Sequence, residues 1–323
     1  MHSSAPLYLW LATGALLLGL MAVDLAALGR RKGPVSVRTA TVWVLLYVGL
    51  ACLFGCALLA MGRGESGTEF FAGYITEYSL SVDNLFVFVL IMSRFDVPSI
   101  AQEKVLLIGI VLSFVLRAAF ILAGTALIAA ASWTFCIFGV LLVYTAWQLV
   151  AGGDDEEDFQ EYRPVRALRR VLPLSDSYSG SRLRVLVDGR PLWTPLALSI
   201  AAITIANFVF ALDSMPAIFG LTQDTFVILT ANAFALLGLR QLYFLIDGLL
   251  DRLAYLKYGL AAILGFIGLK LIEEGLIQSG VEHIGSWRLP EIGIGPSLGF
   301  IGAVLVVAAL ASSRKTRSGV RTL

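Results

Sequence analysis

The chain has 323 residues, 58% of them apolar and 15% charged, with a mean hydropathy of +0.83, whereas soluble domains run about 45–50% apolar and about 25% charged. That composition excludes a water-soluble globule and places the chain in a bilayer, with material for about nine spans of roughly 20 apolar residues each. A net charge of +1 argues against a nucleic-acid partner, which would need a basic face.

In chain order, apolar runs of spanning length fall at about 6–28, 40–61, 69–93, 104–131, 132–151, 193–219, 224–247, 255–277 and 295–312, which gives an all-α, polytopic membrane protein of about nine helices. The first run lacks a basic leader and keeps Asp24 near its end, so it reads as a retained span and not as a cleaved signal. Cys52 and Cys56 lie one helical turn apart in the second run and Cys136 sits in the fifth, a pattern that makes neither a disulfide framework nor a CxxC metal motif.

The loops sort by charge. Arg30, Arg31, Lys32 and Arg38 follow the first run, Arg94 and Lys104 the third, seven arginines the fifth, Arg252 and Lys257 the seventh, and Arg314, Lys315, Arg317 and Arg321 the ninth. The alternate loops hold only Arg63 and Arg288, an asymmetry of roughly nine to one. Basic residues resist translocation, so the N-terminus is expected outside and the C-terminus in the cytoplasm, in a bacterial cytoplasmic membrane. Residues 152–192 open with Asp154, Asp155, Glu156, Glu157 and Asp158 and read as a charged cytoplasmic linker, with a solvated run favoured over a regulatory metal or partner site. Glu273, Glu274, Glu282 and His283 on the opposite side could draw cations to the mouth of a path, though ordinary solvation is the plainer reading. The expected organisation is two helices in 1–68, three in 69–151, the linker 152–192, three more in 193–277, and a last span with a basic tail in 278–323.

An Asp, Lys or Arg at a helix centre costs about 2.5–3.5 kcal/mol on insertion scales, so each one kept there needs a partner or a purpose. The third run carries Glu77, Ser81, Asp83 and Asn84 in ITEYSLSVDNLFVF, and the fourth carries Arg117. The sixth carries Asn207, Asp213 and Ser214 in IANFVFALDSMPAIF, and the seventh carries Asn232 and Arg240. Seven residues turn a helix by about 700°, close to two full turns, so Glu77, Ser81 and Asn84 form one stripe and Asn207 and Ser214 another. Asp83 and Asp213 point about 100° away, and Pro216 with Gly220 predicts local unwinding near Asp213 that could bring them in. Laying Asp83 on Asp213 sets Glu77 opposite Asn207 and Asn84 opposite Ser214, and further along Arg117 answers Arg240. Two three-helix units entering from opposite sides would make an inverted repeat, with a site at their interface near the midplane.

The donors in these strings are oxygens: carboxylates of Glu77, Asp83 and Asp213, amides of Asn84, Asn207 and Asn232, hydroxyls of Ser81 and Ser214. Hard oxygen donors suit Mg²⁺, Ca²⁺ and Mn²⁺ and disfavour soft metals. Arg117 and Arg240 read as structural partners or gating charges more readily than as direct substrate contacts, and a network that only fixes packing is the plain alternative. Moving a divalent cation outward costs about 4.6 kcal/mol per 100 mV, so an exporter without a nucleotide loop must couple to another gradient, most simply protons. Nothing in the chain reads as an enzyme or calls for a resident cofactor.

At ITEYSLSVDNLFVFVLIMSRFDVP, FVFALDSMPAIFGLT and the stretch from TANAFALLGLRQLYF to FIGLKLI, the sequence closely resembles the TerC/Alx family of integral membrane proteins, over about Asp24 to Ile277 apart from the linker. The resemblance implies manganese export and protection from excess Mn²⁺, metal supply to exported enzymes, and an older association with tellurite resistance and alkaline pH. It points to Glu77, Asp83, Asn84, Asp213 and Ser214 as the metal-handling residues. Members of that family often carry an acidic residue where this chain has Asn207, and another where it has Thr204, so fewer charges here weaken divalent binding or change the proton stoichiometry. Two other readings stay open: an oxyanion handler using Arg117 and Arg240, and a membrane scaffold for exported proteins acting through 152–192.

Overall fold

In a bilayer every backbone donor and acceptor has to be satisfied within its own segment, so the apolar runs fold as helices. The computed structural model describes residues 5–30, 37–131, 133–151, 165, 169–170, 172–175, 178–180, 182–187, 190–246, 256–281, 283–284, 287–288 and 292–319. Its elements are α1 (Leu7–Arg30), α2 (Val37–Ala60), α3 (Gly64–Arg94), α4 (Ser99–Ala130), α5 (Thr134–Ala151), the hairpin β1 (Arg184–Val187) and β2 (Arg190–Trp193), α6 (Pro195–Phe219), α7 (Thr225–Leu236), α8 (Leu239–Ile246), α9 (Leu256–Gln278), the two-residue strands β3 (His283–Ile284) and β4 (Trp287–Arg288), and α10 (Ile294–Gly319). Among the described residues the regular structure is helical apart from these two antiparallel hairpins and a single parallel bridge between Leu174 and Trp193.

Seven of the described helices, α1 to α6 and α10, are long and apolar enough to cross a membrane by length and composition. The two remaining expected spans differ in kind. α9 has 23 residues but carries Lys257, Lys270, Glu273 and Glu274. The run 224–247 is not one helix: it breaks at Leu237 and Gly238 into the 12-residue α7 and the 8-residue α8, about 18 and 12 Å long at 1.5 Å per residue. Gly238 has φ +84°, a left-handed conformation that glycine adopts without a Cβ clash. The unwinding expected near Asp213 is absent. α6 stays helical through Asp213 and Pro216 to Phe219, because a proline inside a helix forfeits one backbone bond and does not have to end it.

Three helix pairings organise the bundle: α5 against α9, α4 against α6, and α7 against α3. α7 sits at the centre, with every residue except Leu229 buried, and a side-chain cap from Asp224, which accepts from Phe226 N at 2.9 Å, starts it. Trp10 of α1, Phe54 of α2 and Phe70 of α3 pack with Phe226 and Phe234 of α7 at ring separations of 4.8–6.3 Å. α5 and α9 run antiparallel, with Cys136 beside Gly275, Gly139 beside Gly268 and Ala146 beside Gly265. A Cβ at Gly139 would lie 2.5 Å from Gly268 O, and one at Gly268 would lie 2.8 Å from Gly139 O, so small residues set this approach as they do between membrane helices generally.

The linker is more than a solvated run where it is described. Val165 is buried, and Leu174, Tyr178 and Leu183 pack onto a core formed by α3, α4, α6 and the α3–α4 turn, including Leu85, Val97, Ala101 and Leu196. The Tyr178 hydroxyl donates to Phe95 O at the α3–α4 turn, and burial raises its pKa above the ordinary tyrosine value, so it remains a donor. Trp193 carries Arg184 stacked on its ring at 3.7 Å. The acidic run 154–158 lies outside the described residues.

Candidate functional site

The third helix places its stripe as its spacing predicts. Glu77, Ser81 and Asn84 are all buried on α3. Glu77 is the fixed point: its side chain is wholly buried and forms an ion pair with Arg117 of α4, itself 1% exposed. Arg117 also approaches Ser81 Oγ at 3.5 Å, and Asn84, in the amide orientation that satisfies both of its groups, accepts from Arg117 Nη2 at 2.9 Å and donates to Leu80 O at 3.1 Å. From the central helix Asn232 donates to Glu77 Oε2 at 3.1 Å. One carboxylate oxygen of Glu77 thus receives both Arg117 and Asn232. The other, Oε1, has no hydrogen-bond partner among the described residues, and the nearby sequence neighbour Thr76 is in the same position at Oγ1.

A small cavity of about 10 Å³ lies beside this group, lined by Ser81 and Asn84 of α3, Ser113 and Arg117 of α4, Asn207 of α6, and Leu236 and Leu239 on either side of the α7–α8 break. It has room for about one water-sized occupant. Asn207 donates to Gly109 O of α4 at 2.9 Å, so it bridges α6 to α4. Ser214 is buried with its Oγ unpartnered among the described residues. Thr204 bonds within its own helix, to Ile200 O at 2.7 Å.

Six of the ten singled-out residues therefore gather at one place: Glu77, Ser81, Asn84, Arg117, Asn232 and Asn207. Arg240 does not join them. It turns instead to Asp24 of α1, with Nη2 to Oδ1 at 2.9 Å and to the Asp24 carbonyl at 3.4 Å. Gln241 Nε2 donates to the same Oδ1 at 2.6 Å, and the Tyr47 hydroxyl of α2 donates to it at 3.3 Å. Among the described residues the two arginines thus take different carboxylates, Glu77 for Arg117 and Asp24 for Arg240. The side chains of Asp83 and Asp213 lie outside the described residues; their backbones occupy the positions before Asn84 on α3 and before Ser214 on α6. Among the described residues no group of three His, Cys, Asp or Glu side chains could hold a metal.

Sequence reasoning missed Asp24, Tyr47, Gln241 and Ser113. The signal for Asp24 was present: a carboxylate in an apolar helix needs a partner by the same desolvation argument applied to Glu77. A second, larger cavity of about 330 Å³ opens at another end of the bundle between the starts of α3 and α10, the α6–α7 turn and the end of α9, lined by Glu65, Glu69, Thr222, Lys270 and Glu274 among others.

The comparisons agree with this architecture. The profile described as "Integral membrane protein TerC family" matches residues 62–319, so the match reaches α10 and does not extend back to Asp24. An uncharacterised membrane protein of Mycobacterium bovis is 45% identical over 279 residues, 85% of this chain and 70% of the relative. A chloroplastic thylakoid membrane protein of Arabidopsis thaliana named TERC is 43% identical over 251 residues, 77% of this chain and 65% of that one. A protein of Salmonella typhi named Alx, described as a candidate membrane-bound redox modulator, is 38% identical over 273 residues, 82% and 85% of the two chains. No solved structure matches the chain. With a family profile covering most of its length and several relatives above one-third identity, this chain belongs to the TerC family of integral membrane proteins.

Proposed function

We propose that the chain is a secondary transporter exporting a hard divalent cation, Mn²⁺ or one like it, by proton exchange across a bacterial cytoplasmic membrane with the N-terminus outside. The observation that carries the reading is the wholly buried Glu77 carboxylate, which keeps one oxygen without a partner among the described residues beside amide and hydroxyl donors from α3, α6 and α7. A charge with a spare lone pair at such depth is costly unless an ion or a proton visits it. Arg117 acts as the tethered cation that satisfies Glu77 when no metal is bound, and an arriving divalent cation competes with it. Asp83 and Asp213, one position from Asn84 and Ser214, supply the further carboxylates that a divalent charge needs. The α7–α8 break supports the same reading, since discontinuous helices free backbone carbonyls where transporters hold ions.

The packing also supports an inverted repeat of α3–α5 and α6–α9. Exchanging the units turns α4 on α6 into α7 on α3 and leaves α5 on α9 in place, and the reciprocal approach of Gly139 and Gly268 has the same self-exchanging character. The oxyanion reading has less support, because both buried arginines already hold carboxylates.

The test is uptake of Mn²⁺, Mg²⁺, Ca²⁺ and tellurite by inverted vesicles with and without an inward-acid gradient. The expected result is gradient-driven Mn²⁺ uptake that is lost in Glu77→Gln, Asp83→Asn and Asp213→Asn. Uptake retained in all three variants, or uptake of tellurite alone, overturns the proposal.

A further inference from the structure

A half-buried carboxylate in an apolar helix that gathers three donors from two other helices is a costly arrangement, and Asp24 is one, outside the region that the family profile matches. Two of those donors, Arg240 and Gln241, are the first residues of α8 after Leu239, directly past the break at Leu237 and Gly238. The third, Tyr47, does more than bond Asp24. A Cβ placed on Gly238 would come within 2.9 Å of Tyr47 Cδ2, so the tyrosine ring lies against the turn itself. One cluster therefore holds the break from both sides, with the ring on its backbone and the carboxylate on its following side chains. On the other face of the same turn, Leu236 and Leu239 wall the cavity that contains Ser81, Asn84, Arg117 and Asn207.

We propose that Asp24 is a positioning residue that ties the broken α7–α8 segment to α1 and α2 and thereby fixes the apolar wall of the polar cavity. Asp24 touches no donor of the cavity and acts through Arg240 and Gln241. Releasing it frees α8 to pivot at Gly238, whose left-handed backbone already carries the change of direction, and the wall formed by Leu239 moves with it. The functional consequence rests on the transport reading above, while the mechanical one does not: the cavity wall should loosen whether or not the chain carries metal.

The experiment uses the full chain in proteoliposomes, with Cys52, Cys56 and Cys136 replaced by serine and Leu239→Cys as a reporter. The reaction rate of that single thiol with a small membrane-permeant maleimide reads the wall, and Mn²⁺ uptake over a range of concentrations reads the consequence. Asp24→Asn should raise the thiol rate by about fivefold or more, the lower end of typical coupling between sites, and lower the maximal uptake rate with KM unchanged. Asp24→Glu should restore both. The double variant Asp24→Asn/Arg240→Gln leaves no charge unpaired and so guards against simple misfolding; it should show the same faster thiol reaction as the single variant. A thiol rate equal to the parent's in both Asp24→Asn and the double variant overturns the proposal. Parent protein that takes up no divalent cation removes the transport reading and leaves the thiol rates to decide this one.

Discussion

Among the described residues two buried arginines, Arg117 and Arg240, pair with carboxylates, and they are held differently. Glu77 and Arg117 are both closed off from solvent, at 0% and 1% exposure, on the consecutive helices α3 and α4. Asp24 and Arg240 keep 20% and 6% exposure and join helices from opposite parts of the chain. In the proposed repeat the two arginines occupy corresponding places, as do Glu77 and Asn207. Asn207 donates to Gly109 O of α4, while Arg240 takes its anion from Asp24 of α1, as a guanidinium in an apolar bundle needs a paired charge.

The comparison breaks most severely at the closed pair. Arg117→Met leaves Glu77 buried and uncompensated, and the expected loss is about 3–5 kcal/mol of stability, read as a lowered unfolding midpoint in detergent. The double variant Glu77→Gln/Arg117→Met should recover most of it, because apolar or neutral replacements remove the desolvation cost together with the attraction. An unchanged midpoint in the single variant would mean that the pair carries nothing in the core. At the more open pair Asp24→Asn should cost less, about 1–3 kcal/mol, since water reaches Asp24 and Arg240 keeps its contact with the Asp24 carbonyl. Equal losses at the two sites would show that the difference in exposure has no energetic meaning.

Much of the first site was legible because it obeys one rule. Glu77, Ser81 and Asn84 share a helix face by spacing, and Arg117 and Arg240 read together as structural partners or gating charges without an assigned acid. The membrane class followed from composition, and the family from its resemblance at three stretches of sequence. What spacing could not reveal was which acid each arginine takes, since Asp24 and Arg240 are 216 positions apart and their pairing depends on how α1 and α2 lie against α8. The helix break was also misplaced. Pro216 was the obvious local signal, yet a proline inside a buried helix can be absorbed, whereas Gly238 needs φ +84° that no sequence rule distinguishes from any other helix glycine. The linker hid its role for a similar reason: its charged composition reads as solvated, and only the fold sets Val165, Leu174 and Tyr178 against the ends of α3, α4 and α6.

Gly238→Ala sharpens the comparison from the backbone side. An alanine held in the left-handed region costs about 1–2 kcal/mol, and its Cβ would also press on Tyr47. The loss should be of that size by the same unfolding measurement, and combining it with Asp24→Asn should give less than the sum, because both changes release the same segment. Strict additivity would separate the turn from the cluster that surrounds it.

The smallest effect belongs to Tyr47→Phe. It removes one hydroxyl, whose bond to Asp24 is long at 3.3 Å, and leaves the ring that packs on Gly238. Asp24 keeps Arg240 and Gln241 at 2.9 and 2.6 Å, so no buried charge is stranded, and the expected loss is about 0.5 kcal/mol, the low end for a net hydrogen bond. Glu77 has no such reserve. Among the described residues its engaged oxygen relies on Arg117 and Asn232, so Asn232→Ala should cost more than Tyr47→Phe although each removes a single donor to a carboxylate. If the order is reversed in paired unfolding curves, the closed pair is the better solvated of the two, and the contrast between the sites has to be drawn the other way.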